Sequence, residues 1–397
     1  MVNRLIFNAI NLYISLIFSN FIENLRLLKL EIMLNEIFMT VPDHRVTGRC
    51  TYTLTDLLTI ALLTYVCGGE DYVDMSEFAH LRARDFGLLS YTDKSPSPDT
   101  FERLMSAVNP DEIERCLIAY GRTFLDTLAE KQVVIDGKKL RGTSPKLNGT
   151  KGDYLMNAYV SENHIMIGQQ RLKDKENEIV TIPQIIDKLD IEGAVVSIDA
   201  IGTQVNIAQS ILDKKAHYFL AVKDNQGALN ESIIDAFRYI KPIDTATQMD
   251  ADHGRIETRD CRILDVSAIE DEEVSGRWPG LKTLVEITST IDYGDHSATT
   301  VRRYISDEDF PKAAYFNMLA RGHWSIENQL HWNLDVTFKE DASRARKGYA
   351  AQNLSAIRKI ALQIVKGHND KRSLRKRRFS ASLSQDYLIE LLLSAKI

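Results

Sequence analysis

Cysteine is scarce in this chain of 397 residues, and no two cysteines form a Cys-x-x-Cys pair. The four present are Cys50, Cys67, Cys116 and Cys261. Their scatter argues against zinc ribbons and dithiol redox motifs, and we expect free thiols in a reducing cytoplasm. Proline (9 residues) and glycine (20) are too few for a collagen-like or low-complexity chain. The length instead predicts two or three globular domains.

Long uncharged runs are also rare, although residues 5–22 form one of 18 residues. That is close to the roughly 20 residues that a membrane span needs. However, Asn8, Asn11, Ser15 and Ser19 recur at spacings of three and four, which predicts an amphipathic helix with a polar stripe. We therefore expect residues 1–32 to be an N-terminal extension, either an amphipathic helix or a leader ahead of a start near Met33, and we expect no membrane partner.

A net positive charge is concentrated at the end of the chain. The net charge is −6, but residues 342–397 contain 13 Lys/Arg against 3 Asp/Glu, a local +10 that leaves −16 for the remainder. The densest run is Lys371, Arg372, Arg375, Lys376, Arg377 and Arg378. Because salt screens exposed charges over about 8 Å, a polyanion responds to such a local patch. The run predicts either a phosphate-binding surface or a solvated helix face.

The spacing of apolar residues changes along the chain and predicts its organisation. Residues 33–130 show helical spacing, with helices over 53–66 and 111–130 and an N-cap at Asp99, which predicts an α-helical N-terminal domain. Residues 131–345 predict strands and helices in the order β-β-β-α-β-α-β, with a β-rich insertion at about 250–306. Residues 346–397 predict a basic helical C-terminal region. The fold class is therefore α/β, a ribonuclease-H-like mixed sheet with an insertion and added helices.

Two aspartates close buried strands in this central region. Asp136 ends the run Val-Val-Ile-Asp, and Asp199 ends Val-Val-Ser-Ile-Asp. The carboxyl ends of strands form the edge of the sheet at which α/β folds keep their sites. Each aspartate alone is equally typical of a turn. The pair predicts a shared acidic site.

A third acid, Glu327, lies in a helical segment at residues 321–335. At 3.6 residues per turn, His323, Glu327, His331 and Leu334 share one face. A glutamate on a largely apolar face needs a compensating cation. The alternatives are an ion pair with His323 or His331, a His-Glu-His metal site, or a catalytic carboxylate.

Several longer motifs, taken together, are more specific than the single acids. They are Val-Pro-Asp-His-Arg45, Val-Ile-Asp-Gly-Lys138, Glu-Ile-Val-Thr-Ile-Pro183, Asp-Ala-Ile-Gly-Thr-Gln204, Val-Lys-Asp-Asn-Gln226, His-Gly-Arg255 and His-Trp-Ser-Ile-Glu-Asn328 with Leu-His-Trp-Asn-Leu-Asp335. With these motifs the chain resembles insertion-sequence transposases of the Asp-Asp-Glu type, specifically the H-repeat-associated group, over about residues 33–392. The resemblance implies that Asp136, Asp199 and Glu327 are the catalytic and metal-binding triad on a ribonuclease-H-like core.

The chemistry of that triad suits hard divalent cations. Three carboxylates can hold two Mg²⁺ ions about 3.5–4 Å apart, with Mn²⁺ as a substitute, and leave positions for phosphate and water. The expected partners are the terminal inverted repeats of an insertion sequence and target DNA, bound by a homo-oligomer.

The resemblance departs from the related transposases around the glutamate. They carry a Tyr-x2-Arg-x3-Glu-x6-Lys signature, whereas this chain has Ala320, His323 and Leu334 at the Tyr, Arg and Lys positions. We expect His323 to contact phosphate in place of the arginine, and Lys339 is one candidate for the missing lysine. Other expected DNA contacts follow strand ends or precede Glu327; they are Lys138, Arg141, Lys223, Asn225, Gln226 and Arg321. For each, an ordinary exposed polar residue is the alternative.

The sequence thus predicts a cytoplasmic DNA transposase that hydrolyses the phosphodiester at each element end and joins the freed 3′-OH to target DNA. A metal-dependent nuclease of the same fold, which cuts without joining, would use the same three acids. A non-catalytic DNA-binding remnant of a mobile element is the second alternative.

Overall fold

The computed structural model describes residues 30, 33–34, 36–144, 152–172, 178–252, 255–309 and 311–394. The chain divides into two compact units, one made of Met1–Phe124 with Val336–Ile397 and the other of Leu125–Asp335. Apart from Leu30, the predicted N-terminal extension lies outside the described residues. Within the described ranges, every helix is too short or too polar to span a bilayer.

In the described part of the helical unit, the helices that follow residue 50 are α1 Leu54–Val66, α2 Tyr72–Leu81, α3 Pro98–Ala107 and α4 Pro110–Arg122. Thr53 caps α1 by accepting the backbone N–H of Asp56. Ser97 is the N-cap of α3, so the predicted cap at Asp99 is wrong, because Pro98 occupies the first helical position and Asp99 lies in the first turn. The predicted helix over 111–130 is too long, since α4 ends at Arg122.

The second unit is built on one sheet. Its strands are β1 Gln132–Lys139, β2 Tyr154–Val160, β3 Ile165–Arg171, β4 Val195–Ile198, β5 His217–Val222, β6 Asp244–Asp252, β7 Arg255–Asp265, β8 Thr283–Asp292 and β9 Ser297–Ser306. Its helices are α5 Glu178–Lys188, α6 Val205–Asp213, α7 Gly227–Tyr239, α8 Glu272–Gly276 and α9 Ala313–His323. In the described residues, the nine strands lie in the order β3-β2-β1-β4-β5-β9-β8-β7-β6.

The sheet is mixed, and the directions of its strands show where the insertion lies. Strands β1, β4 and β5 run parallel to one another, whereas β2, β3 and the β9-β8-β7-β6 meander pair in antiparallel fashion. The insertion starts earlier than the sequence predicts, since its first strand begins at Asp244. The insertion extends the central sheet, because its last strand, β9, pairs with β5.

Helix α9 packs on one face of this sheet. The ring of Phe219 on β5 stacks on Tyr304 of β9 with centroids 4.4 Å apart, and Phe316 of α9 lies 6.1 Å from Phe219. All three belong to one buried apolar cluster. Burial of this cluster holds α9 against the sheet and thus fixes the segment that follows it.

The C-terminal helices α10 Ala350–Gly367, α11 Leu374–Leu383 and α12 Gln385–Ser394 belong to the helical unit. Helix α10 is almost wholly buried and contacts α1, α3 and α4. Its Asn353 donates two hydrogen bonds of 2.9 Å, to the carbonyls of Met105 and Val108. The first and last parts of the chain therefore share one core.

The basic run at residues 371–378 contributes partly to this core. The Arg378 side chain is buried, donates to the Tyr65 carbonyl at 2.9 Å, and places its guanidinium 4.0 Å from the Phe338 ring centroid. Burial lowers the pKa of Arg378 to about 10. Arg377 donates to the Asp370 carboxylate at 2.7 Å. Arg372 also donates to the Asp370 carboxylate, at 2.9 Å. Three of the six cations therefore have contacts within the protein, which reduces the charge available to a phosphate surface.

Candidate active site

The first two acids follow adjacent residues in the register of the sheet. Ile135 on β1 pairs in parallel with Ile198 on β4. Asp136 and Asp199 are the next residues, and neighbouring strands lie about 4.8 Å apart. Both side chains are partly buried. Two carboxylates are thus fixed side by side by strand pairing.

The loop after Asp199 is held by two residues that the sequence suggests as DNA contacts. Asp199 accepts the backbone N–H two residues further on at 3.2 Å. Asn225 donates to the Ala200 carbonyl at 2.6 Å, and Gln226 donates to the Thr203 carbonyl at 2.9 Å. In this structure Asn225 and Gln226 therefore fix the backbone beside Asp199.

The face that carries these acids is the face on which α9 packs. Tyr304 pairs with Ala221, and Ala221 follows the residue that pairs with Ile198. Tyr304 therefore lies in the same cross-strand row as Asp136, and residues in one row point to the same side of a sheet. Because α9 packs on Tyr304 through their shared apolar cluster, α9 and the acids lie on the same face of the sheet.

Helix α9 approaches the strands closely at Gly322. A Cβ at this position would lie 2.0 Å from Gln132 Oε1 and 2.8 Å from Ser161 Oγ. Gln132 cannot easily move, because its amide donates to Ser197 Oγ and to the Leu319 carbonyl, both at 2.8 Å. These buried hydrogen bonds set the position of α9 on β1 and β4.

After α9 the chain widens into two π-helical turns, Glu327–His331 and Asn333–Thr337. Such turns hold more residues than an α-helical turn and occur frequently at functional sites. The predicted common face is therefore lost. His323 contacts Ser197 Oγ at 3.2 Å, Glu327 is exposed, and Leu334 is buried.

The charges of Asp199 and Glu327 act on Asp136. Burial, together with the charges of Asp199 and Glu327, raises the pKa of Asp136 to about 7, while the hydrogen bond from the Gly137 N–H opposes this rise. Partial desolvation by the surrounding protein also raises the pKa of Glu327, against the charge of Arg302. A carboxyl group with a strongly raised pKa beside like charges is characteristic of functional sites.

A fourth carboxylate belongs to this group and was missed as a site residue by the sequence analysis. Glu178, in the first turn of α5, hydrogen-bonds to the Tyr154 hydroxyl, and its charge contributes to the raised pKa of Asp136. The Tyr154 ring covers Gly137, where a Cβ would lie 2.4 Å from a ring carbon. Glu178 is the first residue of the motif that ends at Pro183. The spacing of residues in that motif does not by itself assign a role to the glutamate.

Two further neighbours of the acids differ from the prediction, which gave His331 as a partner of Glu327 and did not include Arg302. His331 Nδ1 lies 3.6 Å from Asp136 Oδ2. The Arg302 guanidinium lies 4.5 Å from the centroid of the Trp324 ring. Its positive charge opposes the rise in the pKa of Glu327. Arg302 is separated from Glu327 by 25 positions, so helical spacing could not reveal it.

The remaining predicted DNA contacts have different environments. Lys138 is buried and paired with Asp335. Arg321 lies 4.0 Å from Asp250 and 3.7 Å from Glu257, acids of β6 and β7. Burial and the charge of Arg302 lower the pKa of His323 to about 4, so this imidazole is neutral at pH 7.

Arg141 and Lys223 are exposed in the same unit. The two follow β1 and β5, so both retain side chains that solvent and a ligand can reach. In the described part of the chain, no three His, Cys, Asp or Glu side chains already stand in a metal-holding arrangement. The residues available to hold a cation are the carboxylates described above.

The comparisons with known proteins agree with this architecture. Residues 128–364 match the family described as "Transposase DDE domain", and residues 35–121 match the family described as "DDE_Tnp_1-associated". The transposase-named protein YncI of Escherichia coli O157:H7 is 33% identical over 366 residues, covering 89% of this chain and 93% of its own. The H repeat-associated protein YhhI of E. coli strain K12, also named as a transposase, is 33% identical over 376 residues, covering 90% and 97%.

A solved piggyBac transposase synaptic complex with hairpin DNA is a distant structural neighbour. It is 13% identical with a TM-score of 0.40, and the match covers 92% of this chain and 76% of that one. This score is too low to indicate a common fold. The match of more than half of the chain to one family, together with relatives of nearly full length, is decisive: the chain belongs to the DDE transposase family.

Proposed function

We propose that this transposase cuts the phosphodiester bond at each end of an insertion sequence and joins the freed 3′ end to target DNA, with Asp136, Asp199 and Glu327 as the catalytic acids. The observation that carries the proposal is the parallel pairing of Ile135 with Ile198, which sets the two aspartates side by side. The charges of Asp199 and Glu327 also contribute to the raised pKa of Asp136.

The strand order supports a ribonuclease-H-like core. Strands β3, β2 and β1 form an antiparallel meander, and β4 and β5 continue parallel to β1. Helices α5 and α6 connect these strands. In this proposal the β6–β9 strands are an insertion that lengthens the sheet and precedes the glutamate.

The acids fit hard divalent cations, Mg²⁺ or Mn²⁺. Carboxylate oxygens are the preferred ligands of these ions. Gathered carboxylates repel one another, as the raised pKa of Asp136 reflects, and a bound cation would relieve that repulsion. When bound, two such ions would supply Lewis-acid stabilisation to the attacking and leaving oxygens of an in-line displacement. The exposed Glu327, on its π-helical turn, would complete the site when DNA binds.

The reaction itself consists of two displacements at phosphorus. In the first, water adds to the phosphorus at the element end and the P–O3′ bond breaks, which leaves a 3′-OH and a 5′-phosphate. In the second, that 3′ oxygen attacks a target phosphorus, and the target's own P–O3′ bond breaks. The carboxylates orient the reacting groups, while proton release from Asp136 makes the site competent near neutral pH.

We further propose that terminal inverted repeats are the specific DNA partner and that the protein acts as an oligomer in the cytoplasm. Two ends must be held together for joining, which favours more than one copy. Arg141 and Lys223 are exposed cations suited to backbone phosphate. Asn225 and Gln226 act by fixing the loop after Asp199.

The test uses the inverted repeats that bracket the gene as labelled DNA ends, with a supercoiled plasmid as target. Asp136→Asn, Asp199→Asn and Glu327→Gln should each reduce Mg²⁺-dependent cleavage at least 10²-fold, the order expected when a catalytic group is removed. Asp235→Asn, at a surface carboxylate paired with Arg238, is the matched control.

Three outcomes separate the alternatives. Cleavage with joined products supports the transposase reaction. Cleavage without joined products indicates a nuclease, and binding without cleavage indicates a DNA-binding remnant. Cleavage by all three variants at the control rate overturns the assignment of the acids.

A further inference from the structure

Arg302 extends from β9 towards the carboxylates. It lies two residues from Tyr304 on the same strand, so its side chain shares the sheet face of Asp136. It is also one residue beyond the last β5–β9 pair, Val222 with Arg303, at the edge where Lys223 follows β5. This position places a guanidinium at the edge of the sheet that carries the acids.

The ring of Trp324 holds the Arg302 guanidinium in place. The guanidinium carbon lies 4.5 Å from the ring centroid, within the range of a cation–π contact. Trp324 is three residues before Glu327 and follows α9 directly, so the anchored helix end carries the platform. Stacking orients a planar guanidinium while leaving its N–H groups free to donate.

Neighbouring arginines contrast with Arg302. Arg303 on the opposite face donates to Glu286 at 3.0 Å, and Arg262 pairs with the same glutamate. Across the described ranges, the Arg302 guanidinium has no hydrogen bond or ion pair, and its contact is the ring. Its five donors remain available to an oxyanion.

The glutamate segment itself does not supply a cation at the position where related transposases have arginine. Position 323 is histidine, and its Nδ1 lies 3.2 Å from Ser197 Oγ. The lowered pKa of His323 makes it neutral at pH 7, and the charge of Arg302 is one cause of this. The charge next to Glu327 therefore comes from the insertion strand.

We propose that Arg302, stacked on Trp324, contacts the scissile phosphate beside Glu327 and replaces the arginine that this chain lacks at position 323. A bidentate or forked donor at that place would orient the phosphate and stabilise charge that develops on its oxygens. The role rests on the proposed function, because it requires DNA at the acids. It also gives the β-rich insertion a direct part in the site.

The experiment compares Arg302→Gln and Arg302→Lys with Arg238→Gln. Arg238 is a matched control, because it is an exposed arginine beside a ring, Tyr239, at the far end of α7. Cleavage of the labelled ends by Arg302→Gln should fall about 10²-fold, the typical cost of removing one preorganised donor. The variant should make about one phosphate contact fewer. The slope of log affinity against log salt concentration should therefore change by about 0.9. Arg302→Lys should keep the slope and recover part of the cleavage.

A modified substrate distinguishes contact from a structural effect. In an Asp136→Asn background, which prevents cleavage, binding is measured with DNA that carries either a normal phosphate or a neutral methylphosphonate at the scissile position. The affinity loss caused by Arg302→Gln should occur with the phosphate and largely disappear with the methylphosphonate. Equal losses on both DNAs, or cleavage and slope equal to those of Arg238→Gln, would overturn the proposal. An inactive wild-type protein would instead count against the proposed function.

Discussion

His331 Nδ1 lies 3.6 Å from Asp136 Oδ2, and its Nε2 lies 3.5 Å from the side-chain nitrogen of Asn157. Asn157 is the cross-strand partner of Asp136 on β2. The imidazole therefore links the carboxylate to a buried amide on the neighbouring strand. A group in this position limits the orientations of the carboxylate and supports it as a cation ligand.

Replacement of His331 should weaken cation use more than folding. We expect His331→Ala to raise the Mg²⁺ concentration for half-maximal end cleavage about 10- to 100-fold, as is typical when the partner of a ligand is removed. His331→Asn, which keeps a polar side chain, should recover part of this affinity. A Mg²⁺ titration of the cleavage rate checks both. An unchanged Mg²⁺ requirement in His331→Ala would contradict a supporting role.

Asp136→Asn should stabilise the cation-free protein, and more so at high pH. The ordinary pKa of 3.8 applies to the unfolded chain, whereas burial and neighbouring charges raise the folded pKa to about 7. Between these values the unfolded state releases the proton first, so wild-type stability falls as pH rises and the penalty is complete above about pH 7. Asparagine does not ionise. The gain from the variant should therefore be about 1–3 kcal/mol larger at pH 8 than at pH 5.

Urea unfolding with a chelator present at both pH values measures this difference. Asp235→Asn serves as the surface control and should show no such pH dependence. A gain for Asp136→Asn that is equal at pH 5 and pH 8 would show that the carboxyl group does not titrate between them.

Gly322→Ala should disturb the packing of α9 on the sheet. The added Cβ would lie 2.0 Å from Gln132 Oε1, and the hydrogen bonds of Gln132 prevent an easy shift. We expect a loss of about 1–3 kcal/mol in the free energy of unfolding, typical of overpacking. Gly276→Ala, where a Cβ meets nothing within 4 Å, is the control. Chemical denaturation of both variants measures this loss. Equal stabilities would contradict the close contact between α9 and the strands at Gly322.

The basic C-terminal run should separate into structural and exposed residues. Arg378→Gln removes buried hydrogen bonds to the carbonyls of Tyr65 and Thr337, so we expect a loss of about 2–4 kcal/mol. Lys376→Gln, at an exposed position in the same helix, should change stability by less than about 0.5 kcal/mol. Thermal unfolding of the two variants is the measurement. Similar behaviour of the two would show that the run is a solvated surface throughout.

The end of β4 could be predicted from the sequence, because the apolar run Val195–Ile198 stops at Asp199. The predicted end of β1 at Asp136 is wrong, because this strand pairs with β2 as far as Lys139. Strand β6 could not be predicted in the same way. It is an edge strand with a polar sequence and largely exposed side chains, so it has little apolar alternation.

The neighbours of Glu327 could not be predicted from helical periodicity. A shift to π-helical hydrogen bonding leaves no mark in the order of side chains, and it separates His323 from His331 in a way that the 3.6-residue period does not predict. Arg302 is brought to Glu327 by the pairing of β9 with β5. Long-range contacts of this kind depend on sheet topology and not on local pattern.

Catalysis by Asp136, Asp199 and Glu327 would require divalent cations bound between the carboxylates. The most direct measurement is anomalous diffraction from crystals of the protein with its end DNA and saturating Mn²⁺. We expect Mn²⁺ peaks within ligand distance of Asp136 and Asp199, with Glu327 contacting at least one of them, and loss of those peaks in Asp199→Asn. Well-ordered DNA at the site with no Mn²⁺ on either aspartate would contradict the account.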